Sequence, residues 1–488
     1  MKRIISSILL VVLLLTCSIG TLVSCKKKGA TEDFVMPEGG FDTETPIEIT
    51  FYHSMGNTLK AKLDEAIGRF NKIYPNITVK HASYGDYDGV RDQIKTEISV
   101  GDQPNIAYCY PDHIALYNEA KAVQTLDVFI NDETYGIDTS IFIEAFYEEG
   151  RVFGDGKTYS LPLAKSTEVL YYNKTFFKEN NLSVPTTWEQ MEKLCEDIKK
   201  IDETCIPLGY DSEANWFITM CEQYGSAYTS IDPDNHFAFD NAKNQEFVKM
   251  FAEWAGKYYV TTQKLSGSYT SALFTGEQYK NEDGEWVSPT TKSYMCIGST
   301  GGATYQKPGV DENKEGTPFN FEVGIAPIPQ VDPANPKVIS QGPSLCIFKK
   351  DNAQEVLASW LFVKFLCTEY QFLGNVAMEN GYAPALKNMA ENDTVYANFL
   401  AKAGENATDA ELTANITAYA VKVATEQTKA FYTSPAFYGS SVARDQVGIL
   451  MHLCLSKGKD TSVSEADLIA YIDKVFKDAV EECKYQAE

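Results

Sequence analysis

Between residues 47 and 110 the apolar side chains switch back and forth between a period of two and a period near 3.6, and this alternation constrains the fold more than any other feature. Ile47, Ile49 and Phe51 alternate as in a half-buried strand. Leu59, Leu63, Ile67 and Phe70 then return to one face at helical spacing, until Pro75 ends the helix. Ile77 and Val79 mark a second strand, Val90, Ile94 and Ile98 a second helix, and residues 104–110 a buried third strand. Strands joined by crossover helices predict a parallel sheet covered by helices. Ligands of such sheets sit beyond the carboxyl ends of the strands, which directs attention to His53-Ser54, residues 84–87 and residues 110–112.

At 488 residues the chain is too long for a single hydrophobic core, so at least two domains are expected. The stretch 156–174 reads as a passage between them. Leu161-Pro162-Leu163 is extended because proline disfavours helix for the residue before it; Ser166 and Thr167 follow, then an apolar run from Val169. Small polar side chains at such a crossing are placed to grip a ligand between two lobes. Residues 323–329 and 380–384, both extended and containing proline, are candidates for a second and third crossing. Thr187 with Gln190 opens a helix in the manner of a capping box, residues 277–293 read as an exposed hairpin or insertion, and one long helix is expected over residues 352–373. The remainder of the chain to residue 488 reads as largely helical.

A formal charge of −24 excludes a nucleic-acid role, which needs clustered Lys and Arg. The five histidines are scattered without metal-ligand spacing, so no metal and no cofactor are expected. Carboxylate pairs for glycoside hydrolysis can be chosen at will among 67 acidic residues and carry no information. Gly298-Ser-Thr-Gly-Gly302 lacks the Gly-Lys-Ser/Thr ending of a P-loop and fits an anion cradle or a plain tight turn equally well. Gly342-Pro-Ser-Leu-Cys346 lacks the closing glycine of a nucleophile elbow. No catalytic residue is therefore assigned. Of the eleven cysteines, Cys17 and Cys25 fall in the leader and most of the other nine read as small buried hydrophobes; a bridge between Cys195 and Cys205 is conceivable, with nothing in the sequence to support it.

Lys2-Arg3 followed by an apolar run over residues 4–15, too short to span a bilayer, reads as a signal peptide. Leu22-Val-Ser-Cys25 resembles a bacterial lipobox, which implies lipidation of Cys25 and an extracytoplasmic protein anchored to the cell membrane by its acyl chains. Residues 26–46 read as a flexible tether.

Several stretches in order along the chain then resemble the extracellular solute-binding proteins of ABC importers, family 1. They are Ile49-Thr-Phe-Tyr-His-Ser-Met55, Phe70-Asn-Lys-Ile-Tyr-Pro75, Leu161-Pro162, Ser166-Thr-Glu-Val-Leu-Tyr-Tyr-Asn-Lys174, Pro185-Thr-Thr-Trp188, Gly342-Pro-Ser-Leu345 and Asn380-Gly-Tyr-Ala-Pro384. The resemblance implies an α/β, two-lobed periplasmic-binding-protein-like fold of type II, each lobe a mainly parallel sheet flanked by helices, joined by a hinge of crossings. Residues 47–164 and 328–381 would form lobe I, and residues 165–327 and 382–488 lobe II. It implies a monomeric binding protein rather than an enzyme, delivering a small polar solute to the permease subunits of an importer and their ATPase. The first strand ends Phe-aromatic-His-Ser-Met as in the glycerol-3-phosphate-binding branch. That likeness places ligand contacts at Tyr87, Ser166, Trp216, Ser299, Gly342, Tyr382 and Arg444. Two positions depart from the branch: Pro111 with Asp112 stands where a glutamate is expected, and Glu213-Ala214 where a second tryptophan is expected. Asp112 is then the acceptor for ligand hydroxyls. The ligand is a glycerophospho-compound or a sugar; an exported glycoside hydrolase and a carbohydrate-binding surface protein are the alternatives.

Overall fold

Strands β1 (Ile47–His53), β2 (Ile77–Ser83) and β3 (Ile106–Cys109) pair in parallel in the order β2-β1-β3. This is the arrangement that the alternating periods predict. A computed structural model describes residues 34–281, 284–309, 320–404 and 409–487. The signal segment, Cys25 and the first part of the tether lie outside the described residues.

Along the chain follow β4 (Val123–Gln124), β5 (Ser160–Pro162), β6 (Ala164–Lys165), β7 (Glu168–Asn173), β8 (Leu208–Tyr210) and β9 (Val260–Thr262). A hairpin of β10 (Tyr279–Lys280) and β11 (Trp286–Val287) occupies the charged insertion. Next come β12 (Met295–Ser299), β13 (Val323–Pro327), β14 (Val338–Ile339), β15 (Ser344–Phe348), β16 (Ala383–Pro384) and β17 (Phe431–Tyr432). The first sheet has the order β2-β1-β3-β15-β4, with β5 on β15, and the second the order β13-β7-β12-β8-β9. Each sheet has a parallel run, β1 to β3 in one and β12, β8 and β9 in the other, plus strands of opposite direction. The direction follows from where the chain enters. β7 and β15 both begin at the crossing, where the parallel strands end, and so run back against them.

Each sheet has its own core. The helix Ala353–Thr368 packs Phe362 against Phe51 and Phe70 of the first sheet's layer. On the second sheet, helices Glu213–Tyr224, Ala242–Gly256, Ser440–Gly458 and Glu465–Ala487 share one apolar cluster around Trp216, Phe251 and Met451. The helix Asp409–Glu426 covers the opposite face through Ile416, Ala420 and Val423. All nine described cysteines are buried and free, Cys195 and Cys205 included.

Three local expectations need correction. The end of the tether is fixed rather than loose: Phe41 is buried with its ring against Tyr74, its N–H donates to the Tyr135 hydroxyl at 2.8 Å, and Asp42 N–H donates to Gln354 at 2.9 Å. One buried phenyl group and two long-range hydrogen bonds outweigh the flexibility that the composition suggests. Residues 323–327 form an edge strand of the second sheet rather than a crossing, and Ile328 and Val338 still belong to that sheet's core; the chain changes sheet at Gln341–Ser344. The long helix over residues 352–373 is two helices, Ala353–Thr368 and Tyr370–Asn380, bent by 61°. Glu369 makes the break, capping Phe372 N–H at 2.6 Å while it holds Arg69 in a two-pronged ion pair at 2.9 and 3.1 Å.

Candidate functional site

The strands that pass between the sheets lock together at Ser166 and Gln341, which exchange backbone hydrogen bonds at 2.6 and 3.0 Å. β6 and β16 pair beside them, so the first and third crossings lie against each other. Gly342 has φ +113°, and a Cβ there would stand 2.8 Å from the Ala164 carbonyl oxygen, so only glycine lets the backbones approach this closely. Beneath them the fully buried Lys165 donates to Glu149 at 2.5 Å, to the Ser344 hydroxyl at 2.8 Å and to the Gly342 carbonyl at 3.1 Å. The second oxygen of Glu149 accepts from the Ser340 hydroxyl at 3.0 Å. One ammonium and one carboxylate thus tie the first crossing, the second crossing and the first sheet's half of the chain into a single polar cluster.

Directly above this cluster is a cavity of about 70 Å³, with room for several waters or a compact polar group. Its walls come from both halves: Tyr110 and Asp112 from the end of β3, Gln341 from the crossing, and Tyr228, Ser434 and Arg444 from the second half. Asp112 stands in the first turn of the helix Pro111–Glu119, where the helix dipole favours a carboxylate. Arg444 projects from the helix Ser440–Gly458 and donates to the side-chain oxygen of Asn215. Among the described residues Arg444 makes no ion pair with a carboxylate. Burial opposes its charge, the nearby Asp112 favours it, and the net shift of its pKa is upward.

Asn215 is fully used. Its oxygen accepts from Arg444, and its amide group donates to Gln341 at 3.2 Å. Glu168, at the start of β7, is almost completely buried and accepts the Tyr210 hydroxyl at 2.5 Å. Burial pushes its carboxyl up to about 7, against the opposing hydrogen bond from Tyr210 and the nearby Asn215 and Arg444.

A tyrosine stack borders the cavity on the first sheet's side. Tyr87 lies on Tyr110 with ring centroids 4.3 Å apart and planes 20° from parallel, and Tyr382 is close enough to act on the phenols of both. Burial pushes all three phenols upward, so they are neutral hydroxyls at neutral pH. Gly301 faces the Tyr382 ring, where a Cβ would approach to 2.9 Å. Just before it, the Ser299 hydroxyl accepts from Gly301 N–H at 3.1 Å and so caps its own turn. On the outer side of the groove Arg91, from the helix Tyr87–Ile98, donates to the Ser441 hydroxyl at 3.4 Å and stands 4.0 Å from Asp445, so the two halves touch.

Of the residues expected from sequence, Asp112 and Arg444 line the cavity, and Tyr87 and Tyr382 flank Tyr110 at its side. Ser166 and Gly342 adjoin it through Gln341, contributing backbone geometry, and Ser299 lies beyond in the turn against Tyr382. Trp216 is a correction. It is stacked on Tyr210 at 4.6 Å and packed against Phe251 inside the second core, with no face on the cavity. On that helix Ile218 lines the cavity, and Asn215 holds two of the lining residues, Arg444 and Gln341. Sequence reasoning also left Glu149, Lys165, Glu168, Tyr228 and Asn215 without a role. Lys165 and Glu168 flank Ser166-Thr167, and a lysine and a glutamate bracketing a crossing in an otherwise apolar run were the available signal.

The chain resembles known binding proteins at several levels. It is 30% identical over 202 residues to the multiple sugar-binding protein of Streptococcus mutans, a match covering 41% of this chain and 43% of that protein. It is 28% identical over 171 residues to the sn-glycerol-3-phosphate-binding periplasmic protein UgpB of Yersinia pestis, covering 34% of this chain and 38% of that one. The chain thus matches about two fifths of the length of these curated relatives. In structure it superposes on UgpB from Mycobacterium tuberculosis in complex with glycerophosphocholine, with a TM-score of 0.67 at 17% identity, covering 90% of this chain and 98% of that one. It superposes equally on the sugar-binding protein MalE from Xanthomonas citri, with a TM-score of 0.66 at 15% identity and the same coverage. These likenesses show the fold: two α/β lobes of the periplasmic-binding-protein type joined by crossings. Residues 65–403, well over half of the chain, match the family model described as bacterial extracellular solute-binding protein, and the chain belongs to that family.

Proposed function

We propose that the chain is the substrate-binding lipoprotein of an ABC importer, and that its ligand carries a phosphate, as a glycerophosphodiester or glycerol-3-phosphate does. One observation carries this reading: the guanidinium of Arg444 faces a cavity between the two halves and is held by a neutral amide rather than a carboxylate. Such a group is free to take a phosphate oxygen in a charge-assisted bond. Asp112 and the hydroxyls of Tyr110, Tyr228 and Ser434 accept and donate around it, while Tyr87 and Tyr382 support the aromatic wall. Ser166, Ser299 and Gly342 shape the crossing and the turn that frame the ligand.

The named relatives that bind glycerol-3-phosphate and glycerophosphocholine agree with this class of ligand. A sugar is the second reading, favoured by the stacked tyrosines and by the multiple sugar-binding relative. The lipobox-like Leu22-Val-Ser-Cys25 supports an anchor at Cys25 on the outer face of the cell membrane, from which a monomer would meet the permease and its ATPase. Capture needs no chemical step, so the protein acts as a receptor and not as an enzyme.

A thermal-shift series separates the ligands. Glycerophosphocholine and sn-glycerol 3-phosphate are expected to raise the melting temperature, since a ligand at one hundred times its Kd stabilises by about 2.7 kcal/mol. Maltose and glucose are expected to leave it unchanged. A rise with the sugars alone replaces the phosphate reading with the sugar reading, and no rise with either class rejects both.

A further inference from the structure

Gln341 lies on the cavity wall, and nothing above gives it a ligand contact. Its backbone is pinned on both sides. It exchanges hydrogen bonds with Ser166 at 2.6 and 3.0 Å, the Ser340 hydroxyl before it donates to Glu149 at 3.0 Å, and the Gly342 carbonyl after it accepts from Lys165 at 3.1 Å. Its side-chain oxygen accepts from Asn215 at 3.2 Å. The side-chain nitrogen donates to no group among the described residues, so it is the polar atom that Gln341 has left for the cavity.

Which end of that amide faces a ligand is set from Arg444. A guanidinium has donors only, so the atom of Asn215 that it meets is the oxygen. The nitrogen of Asn215 is then turned to Gln341, whose oxygen must meet it, and the nitrogen of Gln341 is turned away. Asn215 is 4% exposed and stands in the first turn of the helix Glu213–Tyr224, where the Ser212 hydroxyl accepts its backbone N–H at 3.2 Å. The helix Ser440–Gly458 runs close to that one, a Cβ at Gly448 coming within 3.3 Å of the Ala214 Cβ, and this approach brings Arg444 to Asn215. We propose that the side-chain amide of Gln341 is a second donor to the phosphate of the ligand, and that Asn215 is a positioning residue which aims this amide and the Arg444 guanidinium at the same anion. Donors held in place before the ligand arrives need no ordering when it binds. The inference rests on the phosphate reading of the cavity.

Calorimetric titration of the full-length protein with glycerophosphocholine tests both parts. Gln341→Leu is expected to bind about tenfold more weakly than the wild type, the loss of one hydrogen bond to a charged group. Gln341→Glu keeps an oxygen for Asn215 but turns a second, charged oxygen toward the phosphate, so a loss of about a hundredfold is expected. Asn215→Asp keeps the shape and pairs Arg444 with a carboxylate; having no donor, it turns the Gln341 amide round so that the oxygen faces the ligand. Its loss is expected to be about 30-fold or more. In the Asn215→Asp background Gln341→Leu is expected to cost nothing further, because the amide it removes no longer donates. Full affinity in Gln341→Leu overturns the second donor, and should that variant not fold by circular dichroism, full affinity in Gln341→Glu does so. Full affinity in Asn215→Asp, or the same tenfold cost of Gln341→Leu in both backgrounds, overturns the positioning role. Each of these results leaves the phosphate on Arg444 standing, whereas a wild type that does not bind glycerophosphocholine removes that reading and the inference with it.

Discussion

Arg444→Ala is expected to weaken glycerophosphocholine binding at least about 30-fold, the loss of about 2 kcal/mol or more that follows removal of one partner of a buried charge pair. The melting temperature of the free protein is expected to change little, because among the described residues the one direct bond lost is that to Asn215, and a buried charge is relieved. Arg444→Lys keeps the charge but not the planar fork, so it should fall between the two. The measurement is calorimetric affinity for each variant, with circular dichroism to verify folding. With Arg444 gone, Asp112 remains as the charge of the cavity and repels the phosphate, which adds to the loss. Unchanged affinity in Arg444→Ala would mean that the ligand carries no anion at this position and that the sugar reading holds.

The second large effect is on stability. Lys165 and Glu149 form an ion pair that is 0% and 2% exposed, and each also completes hydrogen bonds to the crossing strands. Removing one member leaves the other charged and buried without its partner. Glu149→Ala and Lys165→Ala are each expected to cost about 3–5 kcal/mol, read from the urea midpoint and the melting temperature. The double variant Glu149→Leu with Lys165→Met should recover much of that loss, since an apolar pair of similar volume often serves as well as a buried ion pair. Its ligand affinity should still suffer, because Ser340, Gly342 and Ser344 lose the group that registers the second crossing against the first. A single variant as stable as the wild type would show that the cluster is not what holds the crossings.

How far the sequence foretold this molecule depends on the range of the interactions. The strand and helix order through residue 110 follows from local periodicity, and the crossings near residues 162–166 and 380–384 follow from proline and small polar residues in extended stretches. Residues 323–329 have the same local look but stay with the second sheet, because Ile328 and Val338 bury into its core, which no local pattern reveals. Residues 26–46 have the composition of a tether, yet Phe41 against Tyr74 and two long-range backbone hydrogen bonds fix their end. At the site, Asp112 could be singled out because it follows the third strand, where ligands of such sheets sit, and Arg444 through the likeness to the glycerol-3-phosphate-binding branch. Trp216 could not be phased correctly: on the helix Glu213–Tyr224 every residue from 215 to 221 is buried, so amphipathicity does not say which side faces the groove. The Glu149–Lys165 pair and the Asn215–Arg444 bond join residues far apart in sequence, and only the fold brings them together.

The structure has its halves in contact, Arg91 of one reaching Ser441 and Asp445 of the other across the mouth of the groove. If the site exists to trap a solute between lobes, this closed form must be the ligand-bound one, favoured by a ligand that binds it better than an open form. Small-angle X-ray scattering of the protein, free and then saturated with glycerophosphocholine, tests this most directly. The account predicts that the free protein is more extended than the structure and that ligand contracts it until its scattering curve matches the closed form. Curves that superimpose with and without saturating ligand would contradict it.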